Sequence, residues 1–254
     1  MSGRGWTTFG GVRRSEDADR LIDISEGRII PVLCDITDPE QISRAAGLAM
    51  SATGGTLTGL VNNAGVARPG PLEILPVDDL REQLEVNVVG QLAITQAFVE
   101  PLRREAGRIV NIGSVSGMFG APGIGAYAMS KFALEGFNDV LRRELAPWKI
   151  SVSLIQAGSV ETPIWEKTIA GSRPMLDELD DQQRARYAPL MEKLAGRAVT
   201  EKGTPVSALS DAIEHALTSR RPRTRYVIGS SARWVSVLRR VLGDRGLDQL
   251  LRIR

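Results

Sequence analysis

The chain has 254 residues, of which 43% are hydrophobic and 24% charged, and its formal net charge is +2. This composition predicts one globular domain, spanning residues 1–254, with a single large core. No apolar run approaches the roughly 18 residues of a membrane span. The start has no apolar signal-peptide core, so we expect a cytoplasmic protein. A single histidine, His215, and a single cysteine, Cys34, argue against His/Cys metal sites and Ser-His-Asp or Cys-His nucleophile systems.

The charge is unevenly distributed along the chain. From Arg220 to the end, ten arginines face two aspartates, a balance of +8 that leaves −6 for residues 1–219. Apolar residues recur between these arginines, which predicts an amphipathic helical extension over 230–254, broken near Gly243. A helix packed on the domain with its arginines in solvent is favoured over a helix on a membrane surface. Nucleic-acid binding is not expected.

Strand patterns alternate with helix patterns along most of the chain. In order they predict a strand over 6–12, a helix over 15–24, a strand over 28–34, a helix from a capping box of Thr37 and Glu40 to about 52, a strand over 57–61, a helix over 78–104, a strand over 107–112, a helix over 127–145, a strand over 149–155, a helix over 205–218 and a strand over 225–228. Such alternation predicts a doubly wound, mainly parallel α/β sheet. Ligands of these sheets bind outside the carboxyl ends of the strands.

Small polar residues and glycines follow three successive predicted strands, at 62–65, 113–116 and 156–162. Residues of this type let a ligand approach the backbone closely. Turn formation alone would account for any one of the three segments. Their recurrence favours a common ligand-binding edge.

Tyr127 and Lys131 lie four residues apart on a predicted helix and therefore on one face of it. A nearby ammonium favours the phenolate, and lowering the tyrosine pKa by about three units needs roughly 4 kcal/mol. Ser114 ends a strand thirteen residues upstream, where its hydroxyl can reach the same crevice. Asn87 lies among valines within the long helix, and it is either a site residue or a satisfied buried amide at a kink.

The asparagine-rich segment 62–65, Asn87, Ser114, Tyr127-x-x-x-Lys131 and the turn at 158–162 resemble, in order and spacing, the short-chain dehydrogenase/reductase family. The resemblance extends from about residue 6 to about residue 229. It implies a Rossmann-like fold and an NAD(P)-dependent oxidoreductase that interconverts an alcohol with a ketone or aldehyde. By resemblance, Tyr127 is the general acid/base and Lys131 lowers its pKa and holds the nicotinamide ribose. Ser114 bonds the substrate oxygen, and Asn87 supports a water that links Lys131 to solvent.

The same resemblance implies a set of cofactor-binding residues. Besides Tyr127 and Lys131 they are Asp35 and Ile36 at the adenine, Asn63, Ala64 and Gly65 along the adenosine, and Gly158, Val160 and Thr162 at the nicotinamide. Arg13 and Arg14 follow the strand whose end selects the cofactor, and no acid precedes Glu16. Arginine pairs with a 2′-phosphate, so NADP is preferred and NAD is the second choice. A surface arginine pair is the alternative.

The sequence departs from the family at its N-terminal side. The strand over 6–12 corresponds to the family's second strand, so the first strand and its glycine-rich loop are missing. The resemblance places that strand centrally; without it, two apolar strands face a gap or expose their edges. We favour an N-terminally incomplete version of an ordinary enzyme over a truncated, non-catalytic binding or scaffold subunit. For the chain as given, we expect NADPH binding to be weak or absent.

The segment over 163–203 mixes apolar and charged residues and, by resemblance, caps the substrate. With Trp165 in this segment and with Met118 and Phe119 after Ser114, it favours a lipophilic pocket. Packing between two surface helices is an equal alternative. The segment and the basic C-terminal helix resemble the steroid- and retinol-active branch, which implies a hydrophobic alcohol or ketone. The two long helices commonly form an interface in that family, which favours a homodimer or homotetramer.

Overall fold

The fold is that of a computed structural model, which describes residues 5–161, 168, 177–200 and 203–251. In chain order the elements are β1 (Thr8–Val12), α1 (Ser15–Ser25), β2 (Ile29–Leu33), α2 (Pro39–Ala52), β3 (Gly59–Asn62), α3 (Val77–Leu84), a π turn (Glu85–Val89), α4 (Gly90–Arg104), β4 (Arg108–Ser114), α5 (Gly125–Leu145), β5 (Ser151–Ala157), α6 (Asp181–Thr200), α7 (Val206–Thr218), β6 (Arg225–Ile228) and α8 (Ser230–Leu251). The predicted α/β fold, with mainly parallel strands, is confirmed.

The strands form two parallel sheets among the described residues. One has four strands in the order β3-β4-β5-β6, and the other has β1 and β2 alone. Asn62 lies opposite Asn111 at the end of β3, and Ser114 lies opposite Ala157 at the end of β4. In the described part of the chain β1 and β3 are each paired on one side only, so each presents an open edge.

Helices cover both faces of the four-stranded sheet. On one face Val110 and Ile155 pack against Ala212 and Ala216 of α7. On the other face Ile109 and Val152 pack with Leu102 of α4. Because parallel strands in such a sheet are covered on both faces, every residue of β4 and β5 after the first is buried.

The two-stranded sheet is less enclosed. Val32 of β2 packs against Ile42 of α2 and, together with Phe9 of β1, against Ile94 of α4. Phe9 also joins Leu60 of β3 around the buried Phe98 of α4. Helix α4 therefore packs against strands of both sheets.

The start of α2 differs from the sequence prediction. The N-cap residue is Asp38 and not Thr37, because Pro39 occupies the first helical position. The Asp38 carboxylate accepts the backbone N–H groups of Glu40 and Gln41 at 2.9 and 3.1 Å. The Thr37 hydroxyl instead donates to Asp35 Oδ1 at 2.7 Å.

The long helix predicted over 78–104 contains the π turn between α3 and α4. At Gly90, where α4 begins, an added Cβ would lie 2.7 Å from the carbonyl oxygen of Ile36. Only glycine permits this close approach between the helix and the segment that follows β2. The interruption lies at Asn87, the residue for which a local kink was one of the two interpretations.

The C-terminal helix α8 is interrupted at Gly243, whose φ of 61° lies in the left-handed region. Ala232 in its first turn is buried, whereas Trp234 is 67% exposed. Among the described residues, no helix combines the length and apolar character needed to span a bilayer.

Candidate active site

Ser114 and Tyr127 meet where β4 ends and α5 begins. Ser114 is the last residue of β4, and Tyr127 lies in the first turn of α5. A side-chain hydrogen bond links the Ser114 hydroxyl to the Tyr127 phenol. The same hydroxyl oxygen accepts the backbone N–H of Ser116 at 3.1 Å, which fixes its position.

Lys131 lies one turn further along α5 and is 6% exposed. Its ammonium donates to the carbonyl oxygen of Ile112 at 2.9 Å, and Nζ lies 5.6 Å from the centre of the Tyr127 ring. Burial lowers the pKa of Lys131 from 10.5 to about 8. Ser114, Tyr127 and Lys131, three of the four catalytic residues predicted from the sequence, are thus close together.

The pKa of Tyr127 depends on its burial and on its hydrogen bond with Ser114. Burial raises the pKa of Tyr127, although the Ser114 hydrogen bond acts in the opposite sense. The ammonium of Lys131, which was expected to lower it, is directed to the Ile112 carbonyl. At neutral pH the phenol is protonated and suited to donate a proton to a substrate oxygen.

Asn87 is fully buried in the π turn, and both ends of its amide are engaged. Oδ1 accepts the backbone N–H of Val66 at 2.8 Å, and Nδ2 donates to the Val66 carbonyl at 2.9 Å and to Ser130 Oγ at 3.0 Å. Ser130 in turn donates to the Tyr127 carbonyl at 2.7 Å. The satisfied-amide interpretation therefore describes this side chain, which is linked to the tyrosine through one serine.

Two groups of predicted cofactor residues lie after β2 and β3. The Asp35 carboxylate accepts the N–H and hydroxyl of Thr37, and the Ile36 carbonyl lies against Gly90. Three exposed residues follow β3, namely Asn63, Ala64 and Gly65. Because parallel strands end on the same side of a sheet, residues after β3 and β4 share one edge with Ser114.

Arg13 and Arg14 follow β1 and are exposed. The Arg14 guanidinium donates to Asp17 at 3.0 Å in the first turn of α1. The two arginines thus differ in their surroundings, because the Arg14 guanidinium is paired with the Asp17 carboxylate. No group of three or more His, Cys, Asp or Glu residues suited to a metal occurs in the described part of the chain.

Gly158 and Val160 follow β5. Gly158 donates its N–H to the Ile228 carbonyl at 2.9 Å, and Val160 pairs with Thr204. Thr162 and Trp165 lie outside the described residues. Met118 and Phe119 come directly after the turn Val115–Gly117 and are half-buried, adjacent in sequence to the Ser114 edge.

Helix α6 lies near the start of α5. Leu190 and Leu194 lie next to Gly123. The Tyr187 hydroxyl and Arg186 both bond the Glu73 carboxylate, and the Arg186 contact is 3.3 Å. These contacts connect the described part of the predicted substrate-capping segment to the segment that precedes α3.

The chain is similar to known proteins of one enzyme family. A model of the short chain dehydrogenase family matches residues 3–172. Retinol dehydrogenase 5 of Mus musculus is 34% identical over 98% of this chain and 80% of its own length. The chain belongs to the short-chain dehydrogenase family. It is an oxidoreductase of that family, as the sequence predicted.

Two further members of the family extend the comparison. An NADPH-dependent 3-dehydrocapnine reductase of Ornithobacterium rhinotracheale is 32% identical over 97% of this chain and 88% of its own. The crystal structure of a short chain dehydrogenase from Burkholderia cenocepacia in complex with NADP has a TM-score of 0.74 and 26% identity. It covers 98% of this chain and 87% of that one.

Three buried residues that support this site were not found from the sequence, namely Gln83, Gln91 and Ser130. Gln83 accepts the backbone N–H of Arg68 at 2.7 Å, and Gln91 donates to the Ala64 carbonyl at 2.9 Å. A signal was available, because Gln83, Asn87 and Gln91 recur every four residues in a helix that is otherwise partly apolar.

Proposed function

We propose that the protein interconverts a hydrophobic secondary alcohol and its ketone, with NADP as the preferred cofactor and NAD as the second choice. The observation that carries this proposal is the hydrogen-bonded pair of Ser114 and Tyr127 beside the buried ammonium of Lys131. The half-buried Met118 and Phe119 after Ser114 support a hydrophobic substrate. The names of the similar proteins, a retinol dehydrogenase and an NADPH-dependent reductase, support the same substrate and cofactor classes.

The residues of this chain fit the nicotinamide end of a dinucleotide. The Lys131 ammonium uses one N–H on Ile112, so two donors remain for the hydroxyls of a ribose. Exposed small residues at 63–65 and half-buried ones at 158–160 offer backbone to the same edge. Arg13 offers an exposed guanidinium for a 2′-phosphate. The dinucleotide, when bound, supplies or accepts the hydride.

The protein's own groups manage the substrate oxygen and its proton. The Ser114 hydroxyl and the Tyr127 phenol hydrogen-bond the carbonyl oxygen and orient it. In reduction the phenol donates its proton to that oxygen, and in oxidation the phenolate accepts the alcohol proton. The Lys131 ammonium favours the phenolate when that form arises.

The test is the substitution Tyr127→Phe, which removes only the phenol oxygen. We expect wild-type protein to oxidise NADPH in the presence of hydrophobic ketones, and the variant to lose at least about 10³-fold in kcat. NADPH binding, followed by fluorescence titration, should stay within a few-fold. Tyr226→Phe is the control, because its hydroxyl bonds His215 and the backbone N–H of Arg223 and not Ser114. Turnover retained in the Tyr127 variant would refute the role.

A non-catalytic binding or scaffold subunit is the second candidate. The observation that favours it is the open edge of β1 and of β3 in the described part of the chain. The same titration separates the two candidates. Saturable NADPH binding at micromolar concentration supports the enzyme, contradicts the scaffold and overturns the weak-binding expectation.

We also propose a homodimer or homotetramer assembled through α4 and α5. Large apolar side chains on these helices are exposed, namely Leu92, Met129, Phe132 and Val140. Exposed apolar side chains on neighbouring helices are typical of an interface. Analytical ultracentrifugation tests this proposal, and Phe132→Glu should shift the protein to monomer.

A further inference from the structure

A buried polar stripe runs along the helices that follow β3. It consists of Gln83, Asn87, Gln91 and Thr95, one residue in every four, and each is at most 2% exposed. Buried polar side chains need hydrogen-bond partners. Each of the four has a partner on one continuous segment, residues 62–68, which begins at the end of β3.

The contacts follow a regular order. Gln83 bonds the Arg68 N–H at 2.7 Å and the Val66 carbonyl at 2.6 Å. Asn87 bonds the N–H and carbonyl of Val66 at 2.8 and 2.9 Å. Gln91 bonds the Ala64 carbonyl at 2.9 Å, and Thr95 accepts from the Asn62 side chain at 2.9 Å. As the helix position rises from 83 to 95 in steps of four, the contacts move back along the segment from Arg68 to Asn62, and Gln83 and Asn87 share the Val66 carbonyl.

The spacing of the stripe along the helix matches the spacing of its partners along the segment. Four helical residues rise about 6 Å, and two extended residues span about 6.6 Å. Four residues overshoot a full helical turn by about 40°, which would carry the stripe around the helix. The π turn Glu85–Val89 places one additional residue in its ring and so takes back part of this rotation. The side chains therefore stay aligned with the segment.

The chemistry explains why amides occupy these positions. Residues 63–68 belong to no strand, yet their backbone N–H and C=O groups still require partners. A primary amide both donates and accepts, as a peptide group does. The helix face thus replaces the neighbouring strand that this segment lacks.

The stripe also connects two parts of the site. At one end, Gln91 bonds the Ala64 carbonyl, which belongs to the exposed residues 63–65 proposed to line the cofactor. In the middle, Asn87 bonds Ser130, which bonds the Tyr127 carbonyl. Beyond the stripe, Gly70 donates to the carbonyl of Gly123, two residues before α5 begins.

We propose that Gln83, Asn87 and Gln91 form an amide ladder that positions the segment 62–68 against the helix that carries Tyr127. Gln83 and Gln91 are positioning residues for the reaction, a role that rests on the proposed function above. Gln83 uses both ends of its amide, whereas Gln91 Oε1 is buried without a partner. Gln83 therefore contributes more to the positioning than Gln91.

The kinetic test compares Gln83→Met and Gln91→Met with Gln96→Met, which changes an exposed glutamine of α4. In Gln83→Met we expect KM for NADPH to rise about tenfold while kcat stays within about threefold. Gln91→Met should show a smaller rise, and Gln96→Met none. A purely structural defect would lower the amount of active enzyme and leave KM unchanged. Equal KM values in Gln83→Met and Gln96→Met would overturn the positioning role.

The ladder itself is tested without activity by amide hydrogen exchange followed by NMR. In Gln83→Met the Arg68 amide loses its acceptor and should exchange about tenfold faster, whereas the Val66 amide keeps Asn87. Unchanged exchange at Arg68 would refute the ladder. Wild-type protein without turnover would refute the proposed function, and exchange at Arg68 would still decide the ladder.

Discussion

The two sheets of this molecule differ in how they hold their functional residues. In β4 and β5 every residue except the first is buried, whereas β2 has one buried residue and β1 has none. Ser114 ends a strand of the first kind, and Lys131 bonds the carbonyl of Ile112 in the same strand. The residues proposed for proton transfer are therefore held by the buried four-stranded sheet.

At the two-stranded sheet, the candidate cofactor residues rest on partners close in sequence. Asp35 is held by Thr37, and Arg14 by Asp17. Short-range contacts at an exposed surface contribute little to stability and are screened by salt. The residues proposed for the reaction are thus held by a buried core, whereas those proposed for cofactor selection are held by short-range surface contacts.

The largest expected effect on stability comes from replacing a buried isoleucine by alanine in the four-stranded sheet, compared with the same replacement in the two-stranded sheet. Ile155→Ala removes a side chain with 0% exposure from β5, and Ile30→Ala removes one with 44% exposure from β2. We expect the free energy of unfolding to fall by about 3–4 kcal/mol in the first and by less than about 1 kcal/mol in the second. Urea denaturation measures both. Equal losses would show that the two sheets are equally well packed.

The second prediction concerns the buried ammonium in the four-stranded half. Because the pKa of Lys131 is about 8 in the folded protein and 10.5 ordinarily, the unfolded chain binds more protons between these values. Stability therefore rises with pH across this window, and it is lost again as the pH falls through 8. Relative to wild type, Lys131→Met should lose about 3 kcal/mol of unfolding free energy between pH 8 and 10.5. If the difference in unfolding free energy between wild type and Lys131→Met were the same at pH 8 and at pH 10.5, the buried ammonium would not be responsible.

The third prediction concerns cofactor selection at the two-stranded sheet. Arg13→Ala should raise KM for NADPH about tenfold and leave KM for NADH within twofold, because only NADPH carries the 2′-phosphate. Arg14→Ala is the matched variant. Since Asp17 already engages Arg14, we expect a smaller change there. A larger effect from Arg14 would reverse the assignment.

The smallest expected effect concerns the contact that joins the two halves. In Gly90→Ala the new Cβ would lie 2.7 Å from the Ile36 carbonyl, so the segment after β2 must move. We expect a loss of about 1–2 kcal/mol in unfolding free energy. Gly136→Ala is the control, because no atom lies within 4 Å of its added Cβ. It should gain about 0.5–1 kcal/mol from helix propensity.

Sequence patterns predicted the elements well because β-branched runs and capping residues act locally. The site residues Ser114, Tyr127 and Lys131 were also predictable, because strand ends and a four-residue helical spacing bring them together. The raised pKa of Tyr127 was not, since it depends on burial by residues distant in sequence. The amide ladder was missed for a related reason. The four-residue recurrence of Gln83, Asn87 and Gln91 is visible in the sequence, but the backbone segment at 66–68 that they bond is not.

Helix α4 has a consequence for how the halves of the site respond to each other. Its first residue, Gly90, touches the Ile36 carbonyl, and Asn87 lies three residues earlier, a rise of about 4.5 Å. From there two hydrogen bonds lead through Ser130 to the backbone of Tyr127. This route consists of one close backbone approach, a short helical segment and two hydrogen bonds. It therefore connects the segment after β2 directly to the backbone of the proposed proton donor.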